Sequence, residues 1–429
     1  MLVRGSVTPV RGIARARLEN VSEQSRPKAE PVPTPAIAPQ RILATTSRMP
    51  FAVDEIRKLG ERGHEVTATD TFALAPGSHT RGAARALVTP SPRQETTAFI
   101  GAVIDAIHRY DITWLLPMFE EVFYLAAYRD ELAKARPDLE LFFPSLSALQ
   151  RVHDKIGFAR LGRELGLPVA DFRVVTSPEE LHQAIALWEK WFAREAYGRG
   201  GLGIATNAGP LARELDLAAI VPTAKDQWIV QEYIEGVDRC SWSVVHHGEV
   251  VLHSCYEHPL AIDHRGGIAF RSVDSPQSLE VAQRVARELN WHGQISFDFL
   301  MTPDGTHHLV ECNARPTAGC TVATAAELEK ALFAPDGLVV VPPGRQRSLK
   351  LAVWRDIVRH PLKFRSDLAA SRHSPGVYTS RGDYRPALFA ALSLLHTAKY
   401  RRVMGRNADR NMLVASQFFD VLWDGDPIR

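Results

Sequence analysis

Apolar positions follow two different spacings between residues 41 and 148. Short apolar runs at residues 42–44, 112–116 and 139–143 are separated by stretches in which apolar residues recur every three or four positions. The short runs predict strands, and the stretches between them predict amphipathic helices. Strands that alternate with helices are typical of a parallel sheet. We therefore expect a parallel α/β domain over residues 41–148.

The pattern changes beyond this first domain. Residues 149–234 combine helices with apolar strands, which predicts a small α+β unit. Residues 235–330 are rich in strands and contain one amphipathic helix, at about 276–289. The periodicity weakens over residues 331–429, which we expect to form a C-terminal extension. Residues 1–40 are rich in Pro, Ala and Arg and predict a disordered tail.

Composition and charge narrow the classes of partner. The 429 residues include 51 Lys and Arg against 49 Asp and Glu, so we expect no nucleic-acid partner. Basic residues outnumber acidic ones over residues 345–429, which we interpret as a solvated surface; binding of nucleic acid or an anionic membrane there is the alternative. No run of about eighteen apolar residues predicts a membrane span. The four cysteines form no CxxC pair, which argues against a disulfide framework or a zinc site and favours a cytoplasmic location.

Closely spaced glycines follow the predicted strand at residues 191–195. They lie within residues 198–203 and include Gly200, Gly201 and Gly203. Glycines at this spacing let backbone amides approach and cradle a polyphosphate. A tight turn without a ligand is the other interpretation, and the stretch alone does not decide between them.

A second candidate feature is the apolar strand at residues 228–234, which runs into the turn Glu235-Gly236. Glu232 could accept a hydrogen bond from the amino group of adenine, and the exposed backbone of a strand edge could pair with the ring. A buried strand that ends in an ordinary Glu-Gly turn is the alternative, and we give the two equal weight.

Two carboxylates stand among apolar residues in predicted strands. Asp298 is flanked by phenylalanines. Glu311 lies two residues before Asn313, so strand alternation places Glu311 and Asn313 on a common face. Burying a carboxylate without a partner is costly. Three oxygen ligands on adjacent strands suit Mg²⁺. The alternative is an ion pair with a neighbouring Arg or Lys, for which Arg315 is a candidate.

The order of these features resembles the ATP-grasp superfamily, and within it the biotin carboxylase and carbamoyl phosphate synthase large-subunit type. The resemblance covers about residues 41–325. Its most specific parts are QEYIEG at residues 231–236 and, at the distance the family shows, Asp298 and ECNAR at residues 311–315. It implies a Rossmann-like parallel sheet domain followed by a two-subdomain ATP-grasp fold, with ATP between the two subdomains.

The resemblance implies a set of ATP-binding residues, five at the phosphates and three at adenine. These are Lys155, Arg194, Gly200, Gly201, Gly203, Glu232, Tyr233 and Ile234. The family usually has Lys-Pro on the strand before the glycine-rich loop, whereas this chain has Arg194-Glu195. Because a planar guanidinium can bind a phosphate through two hydrogen bonds, we interpret Arg194 as a substitute for the lysine.

The resemblance also implies a metal site and a reaction. Asp298, Glu311 and Asn313 would hold Mg²⁺, or Mn²⁺, and Arg315 with Asn313 would steady the acyl phosphate as it forms. In that reaction a substrate carboxylate is phosphorylated by ATP, an amine attacks it, and ADP and phosphate are released. The sequence carries no motif of a covalent enzyme intermediate, in agreement with phosphoryl transfer that relies on positioning and charge.

The substrates are a small carboxylate and an amine in this interpretation. The polar segment at residues 262–272 is expected to be a loop that lines the acceptor pocket, where Arg265 or Arg271 binds the substrate carboxylate; a solvated hairpin tip is the alternative. A thiol or carbamoyl-type acceptor and an ATP-binding regulatory protein with impaired catalysis are the other functions that we keep open. The partner expected besides these substrates is a second copy of the chain, in a homodimer.

Overall fold

The computed structural model describes residues 37–198, 203–262, 266–396 and 418–428. The predicted disordered tail of residues 1–40 lies outside these ranges except for its last four residues. Gly200, Gly201 and Arg265 also lie outside them. Within the described part, the chain builds three β-sheets.

The first sheet has five parallel strands. Its elements are β1 (Arg41–Ala44), α1 (Pro50–Glu61), β2 (Glu65–Asp70), β3 (Ala83–Val88), α2 (Thr96–Arg109), β4 (Trp114–Leu116), α3 (Val122–Ala127), α4 (Arg129–Ala135) and β5 (Glu140–Leu141). The strand order is β3-β2-β1-β4-β5, which confirms the predicted parallel α/β domain. Because β2 and β4 lie on opposite sides of β1, residues 45–48 and 117–121 flank a crevice of the kind where open α/β sheets bind ligands.

Helix α1 carries charged side chains into the interior. The segment has the spacing predicted for an amphipathic helix, and residues from elsewhere in the chain cover its charged face. The Lys58 ammonium donates to a carbonyl of the 3-10 turn Ala318–Val322, and the Arg57 guanidinium pairs with Asp383 at 2.7 Å. These long-range contacts fasten the first sheet to the rest of the molecule.

The second sheet has four antiparallel strands in the order β6-β9-β7-β8. The elements that precede and form it are α5 (Leu146–His153), α6 (Lys155–Glu164), β6 (Phe172–Val175), α7 (Pro178–Ile185), β7 (Trp191–Glu195), β8 (Ile204–Thr206) and β9 (Trp228–Glu232). Helix α6 begins at Lys155 because the Asp154 carboxylate accepts hydrogen bonds from the amides of Ile156 and Gly157. This N-cap fixes the start of α6 and therefore the position of the Lys155 backbone.

The third sheet is mainly antiparallel, with strand order β14-β13-β10-β11-β12-β16 and β15 paired to β11. Its elements are β10 (Val237–His246), β11 (Glu249–Ile262), β12 (Gly266–Val273), α8 (Pro276–Glu288), β13 (Gly293–Met301), β14 (His307–Asn313), α9 (Ala325–Phe333), β15 (Val339–Val340) and β16 (Gln346–Ser348). The segment at residues 262–272, expected to be a loop, is instead mostly strand. Residues 266–272 pair with β11 on one side, and part of them pairs with β16 on the other.

The C-terminal extension contributes α10 (Lys350–Arg359), α11 (Phe364–Ser371) and α12 (Arg385–Leu392). Together with the three sheets, this is the combination of α/β and α+β architecture expected from the sequence. Among the described residues, no helix has the length and apolar character that crossing a membrane requires.

The buried Glu55 of α1 generates a prediction about stability and pH. Burial raises the pKa of Glu55 to about 7, although the Gln294 amide donates to its carboxylate at 2.9 Å. A carboxyl group with a raised pKa stabilises the fold fully below its ordinary pKa and loses that contribution as the pH rises through 7. We expect Glu55→Gln to raise the free energy of unfolding by about 1–3 kcal/mol near pH 8.5 and by much less near pH 5.

Denaturant unfolding at the two pH values measures this difference. The matched control is Glu61→Gln, on the exposed end of the same helix, whose effect should not change between them. Equal effects of Glu55→Gln at both pH values would contradict the prediction.

Candidate functional site

Two carboxylates face each other on neighbouring strands of the third sheet. Asp298 of β13 lies directly opposite Glu311 of β14. The Asn313 amide donates to Asp298 Oδ2 at 3.3 Å and to Glu311 Oε1 at 3.4 Å. The strand alternation predicted from the sequence thus brings the three candidate metal ligands together.

The electrostatics of this pair are unequal. Partial burial and repulsion from Glu311 raise the pKa of Asp298 to about 7. Burial also disfavours the charge on Glu311, but the cations of Lys155 and Arg194 outweigh it and lower the pKa of Glu311. The nearby cations thus favour the charge on Glu311 but do not offset the cost of ionising Asp298, which is a reason for a further cation to bind beside it.

Cation binding here would involve few protein ligands. The described residues contain no group of three or more His, Cys, Asp or Glu side chains that could enclose a metal. Two carboxylates and an amide oxygen form an incomplete hard-oxygen set, as Mg²⁺ prefers when it also binds phosphate oxygens and water. The carboxylates of Asp298 and Glu311 fit Mg²⁺ in that role, whereas Asn313 turns its nitrogen to them and its oxygen to Arg315 and would join the set only after its amide turns.

Arg315 links the carboxylates to the first sheet. Its Nη2 donates to Asn313 Oδ1 at 2.9 Å, and its guanidinium lies 4.5 Å from the centre of the Phe119 ring, in the crevice loop that follows β4. Burial lowers the pKa of Arg315, while the negative charges of Glu120, Glu311 and Asp298 oppose that shift. Arg315 therefore stands between the metal ligands and the crevice.

Two further cations approach Glu311 from the second sheet and from α6. The Lys155 ammonium donates to the Gly198 carbonyl and lies 3.7 Å from Glu311 Oε2. The Arg194 guanidinium is buried and donates to the Val310 carbonyl at 2.7 Å. Its Nε is buried and has no hydrogen-bond partner in the described part of the chain, so one donor of this guanidinium is left unsatisfied there.

Of the glycine-rich stretch, only its two ends are described. Gly203 has φ +62°, a backbone conformation that favours glycine, and it packs directly over the Glu195 carboxylate. The Gly203 carbonyl accepts from the Glu195 amide at 2.9 Å. The stretch thus returns to the end of β7, beside Arg194.

The predicted adenine-binding residues occupy the end of β9 and the start of the link to β10. The Glu232 carboxylate accepts from the Asp171 amide at 3.2 Å, and the Tyr233 amide donates to the Lys190 carbonyl at 3.0 Å. These bonds hold the chain in place at this point. The Ile234 amide donates to no residue in the described part of the chain, so it is the backbone group best placed to pair with a ring nitrogen.

The predicted substrate residue Arg271 is not brought to this site. It pairs with Glu257 on β11, and the strand register puts both on the face opposite Asp298, Cys240 and Tyr256. The sequence analysis assigned Arg271 from the polarity of its segment, which carries no information on the face it occupies.

Sequence reasoning also missed residues that surround the carboxylates. Cys240 of β10 lies opposite Asp298, and Tyr256 of β11 lies opposite Cys240, so all three share one face of the sheet. The Tyr256 hydroxyl is 3.0 Å from Thr317 Oγ1, which donates to Ser296 Oγ at 3.0 Å. Strand alternation in β10 and β11 indicates which of their residues share a face, but only the strand pairing shows that the face with Cys240 and Tyr256 adjoins Asp298.

The pair of carboxylates generates a prediction about stability. Because the pKa of Asp298 is raised, its ionisation costs folding free energy as the pH rises through 7. We expect Asp298→Asn to raise the free energy of unfolding of the metal-free protein by about 1–2 kcal/mol near pH 8, after allowing for solvent screening. Urea unfolding in the presence of a chelator measures it.

The matched control is Asp304→Asn, in the turn between β13 and β14. Hydrogen bonds from Thr302 and Thr306 lower the pKa of Asp304, so its substitution should not stabilise the protein. A loss of stability in Asp298→Asn would show that the repulsion is already compensated.

Comparisons with known proteins agree with this architecture. No model of a known protein family matches the sequence, and no curated protein sequence does either. An N5-carboxyaminoimidazole synthetase from Staphylococcus aureus in complex with ADP has a TM-score of 0.55 at 11% identity, over 75% of this chain and 86% of that one. A biotin carboxylase–β,γ-ATP complex from Campylobacter jejuni has a TM-score of 0.52 at 15% identity, over 68% and 71% of the two chains.

A further solved structure, an ADP complex of N5-carboxyaminoimidazole ribonucleotide synthetase, has a TM-score of 0.54 at 14% identity and covers 76% of this chain and 87% of its own. At these identities the likeness establishes the fold alone. The order of the three sheets, the paired carboxylates on β13 and β14 and these likenesses all lead to one assignment: this chain has the ATP-grasp fold that its sequence resembles.

Proposed function

We propose that the protein is an ATP-dependent ligase that activates a substrate carboxylate as an acyl phosphate, for attack by an amine. The observation that carries this proposal is the convergence on one pair of carboxylates of three cations from separate parts of the chain. Lys155, Arg194 and Arg315 all act on the charge of Glu311. Such an arrangement suits a reaction in which negative charge is spread over phosphate oxygens.

The nucleotide would lie between the second and third sheets. Lys155 and the unpartnered Nε of Arg194 supply positive charge and a hydrogen-bond donor for the phosphates. The Ile234 amide, at the link between the two sheets, supplies a donor for adenine. The structural neighbours named above include ADP and ATP complexes, which supports a nucleotide as the ligand of this fold.

Mg²⁺, or Mn²⁺, would be held by Asp298, Glu311 and Asn313. Bound there, the ion would neutralise charge on the phosphate oxygens. The protein's own part is to keep Asp298 and Glu311 on adjacent strands, so that their carboxylates need no rearrangement. Asn313, whose amide nitrogen faces both carboxylates, would have to turn its amide to offer oxygen to the ion. Asn313 is itself oriented by Arg315, which donates to its carbonyl oxygen.

The bond changes follow from the chemistry of the groups. A carboxylate oxygen of the substrate attacks the γ-phosphorus of ATP, the bond to the bridging oxygen breaks, and ADP leaves. The amine then attacks the carbonyl carbon, the carbon–oxygen bond to phosphate breaks, and the amine proton passes to solvent or phosphate. Arg315 stands where it can stabilise the charge on the acyl phosphate and on the tetrahedral intermediate.

A second function has a specific observation in its favour. Arg194 replaces the lysine that the family resemblance leads us to expect, and its Nη2 is committed to the Val310 carbonyl. A guanidinium fixed to β14 in this way has less freedom to follow a phosphate than a lysine has. An ATP-binding regulatory protein with little or no turnover is therefore the alternative function.

Product analysis tests the proposal. The purified protein is incubated with ATP, Mg²⁺ and pools of amino acids, small carboxylic acids and amines, and ADP, AMP and phosphate are measured. We expect ADP and phosphate to form only when both an acid and a nucleophile are present, and to fall at least about a hundredfold in Asp298→Asn and Glu311→Gln. Asp304→Asn, on the same hairpin, should retain the activity.

The outcomes separate the alternatives. AMP and pyrophosphate would contradict an acyl phosphate and indicate adenylation. ATP binding without turnover in any pool would favour the regulatory function. Product formed from a thiol or a carbamoyl-type acceptor would keep the activation step and change only the nucleophile. Because Asp298→Asn is expected to be more stable than the wild type, its loss of activity could not be assigned to unfolding.

A further inference from the structure

Residues 418–428, which we call the C-terminal clasp, lie along the crevice edge of the first sheet. Its Asp420 is fully buried and accepts two hydrogen bonds from Arg48, each of 2.8 Å. Arg48 also donates to Asp70 at 2.9 Å, so one guanidinium joins the ends of β1 and β2 to the clasp. The backbone carbonyl of Asp420 accepts from Ser91 at 2.8 Å. A charged network of this kind holds the clasp firmly in place.

Three residues further along, Trp423 reaches the other side of the crevice. Its backbone amide donates to Glu120 Oε2 at 3.2 Å, and its carbonyl is 3.1 Å from His153 Nε2. Its indole stacks on Phe123, with ring centres 4.7 Å apart, and stands edge-on to Tyr197 at 5.9 Å. Trp423 therefore touches the first sheet, α5 and the start of the glycine-rich stretch at once.

Two residues that contact Trp423, His153 and Tyr197, lie next to Lys155 or to a group that Lys155 binds. His153 lies two residues before it, at the end of α5. Tyr197 directly precedes Gly198, whose carbonyl accepts the hydrogen bond from the Lys155 ammonium. The Lys155 amide donates to the carbonyl of Ala196 at 3.1 Å, so the backbone on both sides of Tyr197 is bound to the lysine. Gly425 of the clasp lies flat against the Tyr197 ring, where a side chain would collide with it.

We propose that the clasp is a positioning element for Lys155, and that Trp423 is the residue through which it acts. Trp423 fixes His153 and Tyr197 relative to the first sheet, and these in turn fix the peptide and the ammonium of Lys155 beside Glu311. The clasp thereby connects the crevice at Glu120 with the place where the phosphates would bind. Its effect on Lys155 is independent of the proposed function, whereas its effect on ATP binding rests on it.

A purely structural role makes a different prediction. If Trp423 only filled space, its removal would lower the stability of the whole molecule and speed hydrogen exchange, by the same free energy, at every amide that exchanges through global unfolding. If it positions Lys155, exchange should quicken locally, at the amides that bind around the lysine. The amides of Lys155 and Gly198, which donate to Ala196 and Glu195, report on that place. Those of α7, in the same small sheet unit, report on global opening.

The experiment compares Trp423→Ala, Trp423→Phe and Trp354→Ala in the full chain. Trp354 lies on α10, is 56% exposed and serves as the control for loss of an indole. Without ligand, we expect exchange at Lys155 and Gly198 to rise at least about tenfold in Trp423→Ala, with α7 unchanged. Trp423→Phe should restore most of the protection, and Trp354→Ala should not alter it.

Calorimetry with Mg·ATP adds a second readout. We expect the Kd of Trp423→Ala to rise about tenfold, with a near-normal value for Trp423→Phe, because displaced cations bind phosphates less well. Unchanged exchange at Lys155 and Gly198 in a folded Trp423→Ala protein would overturn the proposal, as would a uniform rise that includes α7. If Trp423→Ala does not fold, Trp423→Leu is measured in its place and judged by the same results.

The two proposals can fail separately. If the wild type does not bind Mg·ATP, the proposed function is wrong, and the exchange measurements still decide whether the clasp holds Lys155. If the wild type binds Mg·ATP and local exchange is unaffected by Trp423→Ala, the clasp proposal alone is wrong.

Discussion

The repulsion between Asp298 and Glu311 is the constraint on which the candidate site depends. Two acids placed opposite each other on adjacent strands would be costly without nearby positive charge. The protein supplies that charge from α6, from β7 and from the end of β14, through Lys155, Arg194 and Arg315. The three sheets must therefore keep one particular arrangement for the carboxylates to remain side by side.

The contacts that maintain this arrangement are polar as well as apolar. Helix α1 buries a row of charged residues, and their partners come from β13, from the 3-10 turn after β14 and from the C-terminal extension. Removing one partner of a buried charge costs more than an exposed ion pair contributes, so such contacts select one packing of the sheets over others. The first sheet is thereby held at a fixed position relative to Arg315 and the paired carboxylates.

Stability and function pull in opposite directions at Asp298. The group that would bind a cation best is the one whose charge destabilises the protein when no cation is present. Arg194 likewise keeps a buried Nε without a partner in the described residues, which is costly for the fold; in the proposed function this donor would go to a ligand. The C-terminal clasp also contributes to the site, because it connects the segment around Lys155 to the sheet that carries the crevice.

Local patterns were enough for much of the fold. Alternating strands and helices between residues 41 and 148 predicted the parallel sheet, since β1, β4 and the segment at β5 each carry an apolar run. The edge strand β3 was missed: its side chains are mostly exposed, and Arg85 interrupts its apolar residues, so its pattern is not that of a buried strand. Asp298, Glu311 and Asn313 could be placed together because strand alternation and a short hairpin are local properties of the chain.

What the sequence could not decide depends on contacts between distant segments. Arg271 looked like a substrate residue until the register of β11 and β12 put it on the other face of the sheet. The charged side of α1 is covered by residues more than two hundred positions away, which the pattern of the helix itself does not show. Nor did any pattern connect Trp423 with Tyr197 or Asp420 with Arg48. Sequence alone determined which elements form and which residues share a strand face, because both follow from neighbours along the chain. Tertiary structure decided which faces meet, because burial and charge pairing are settled only when the whole chain has packed.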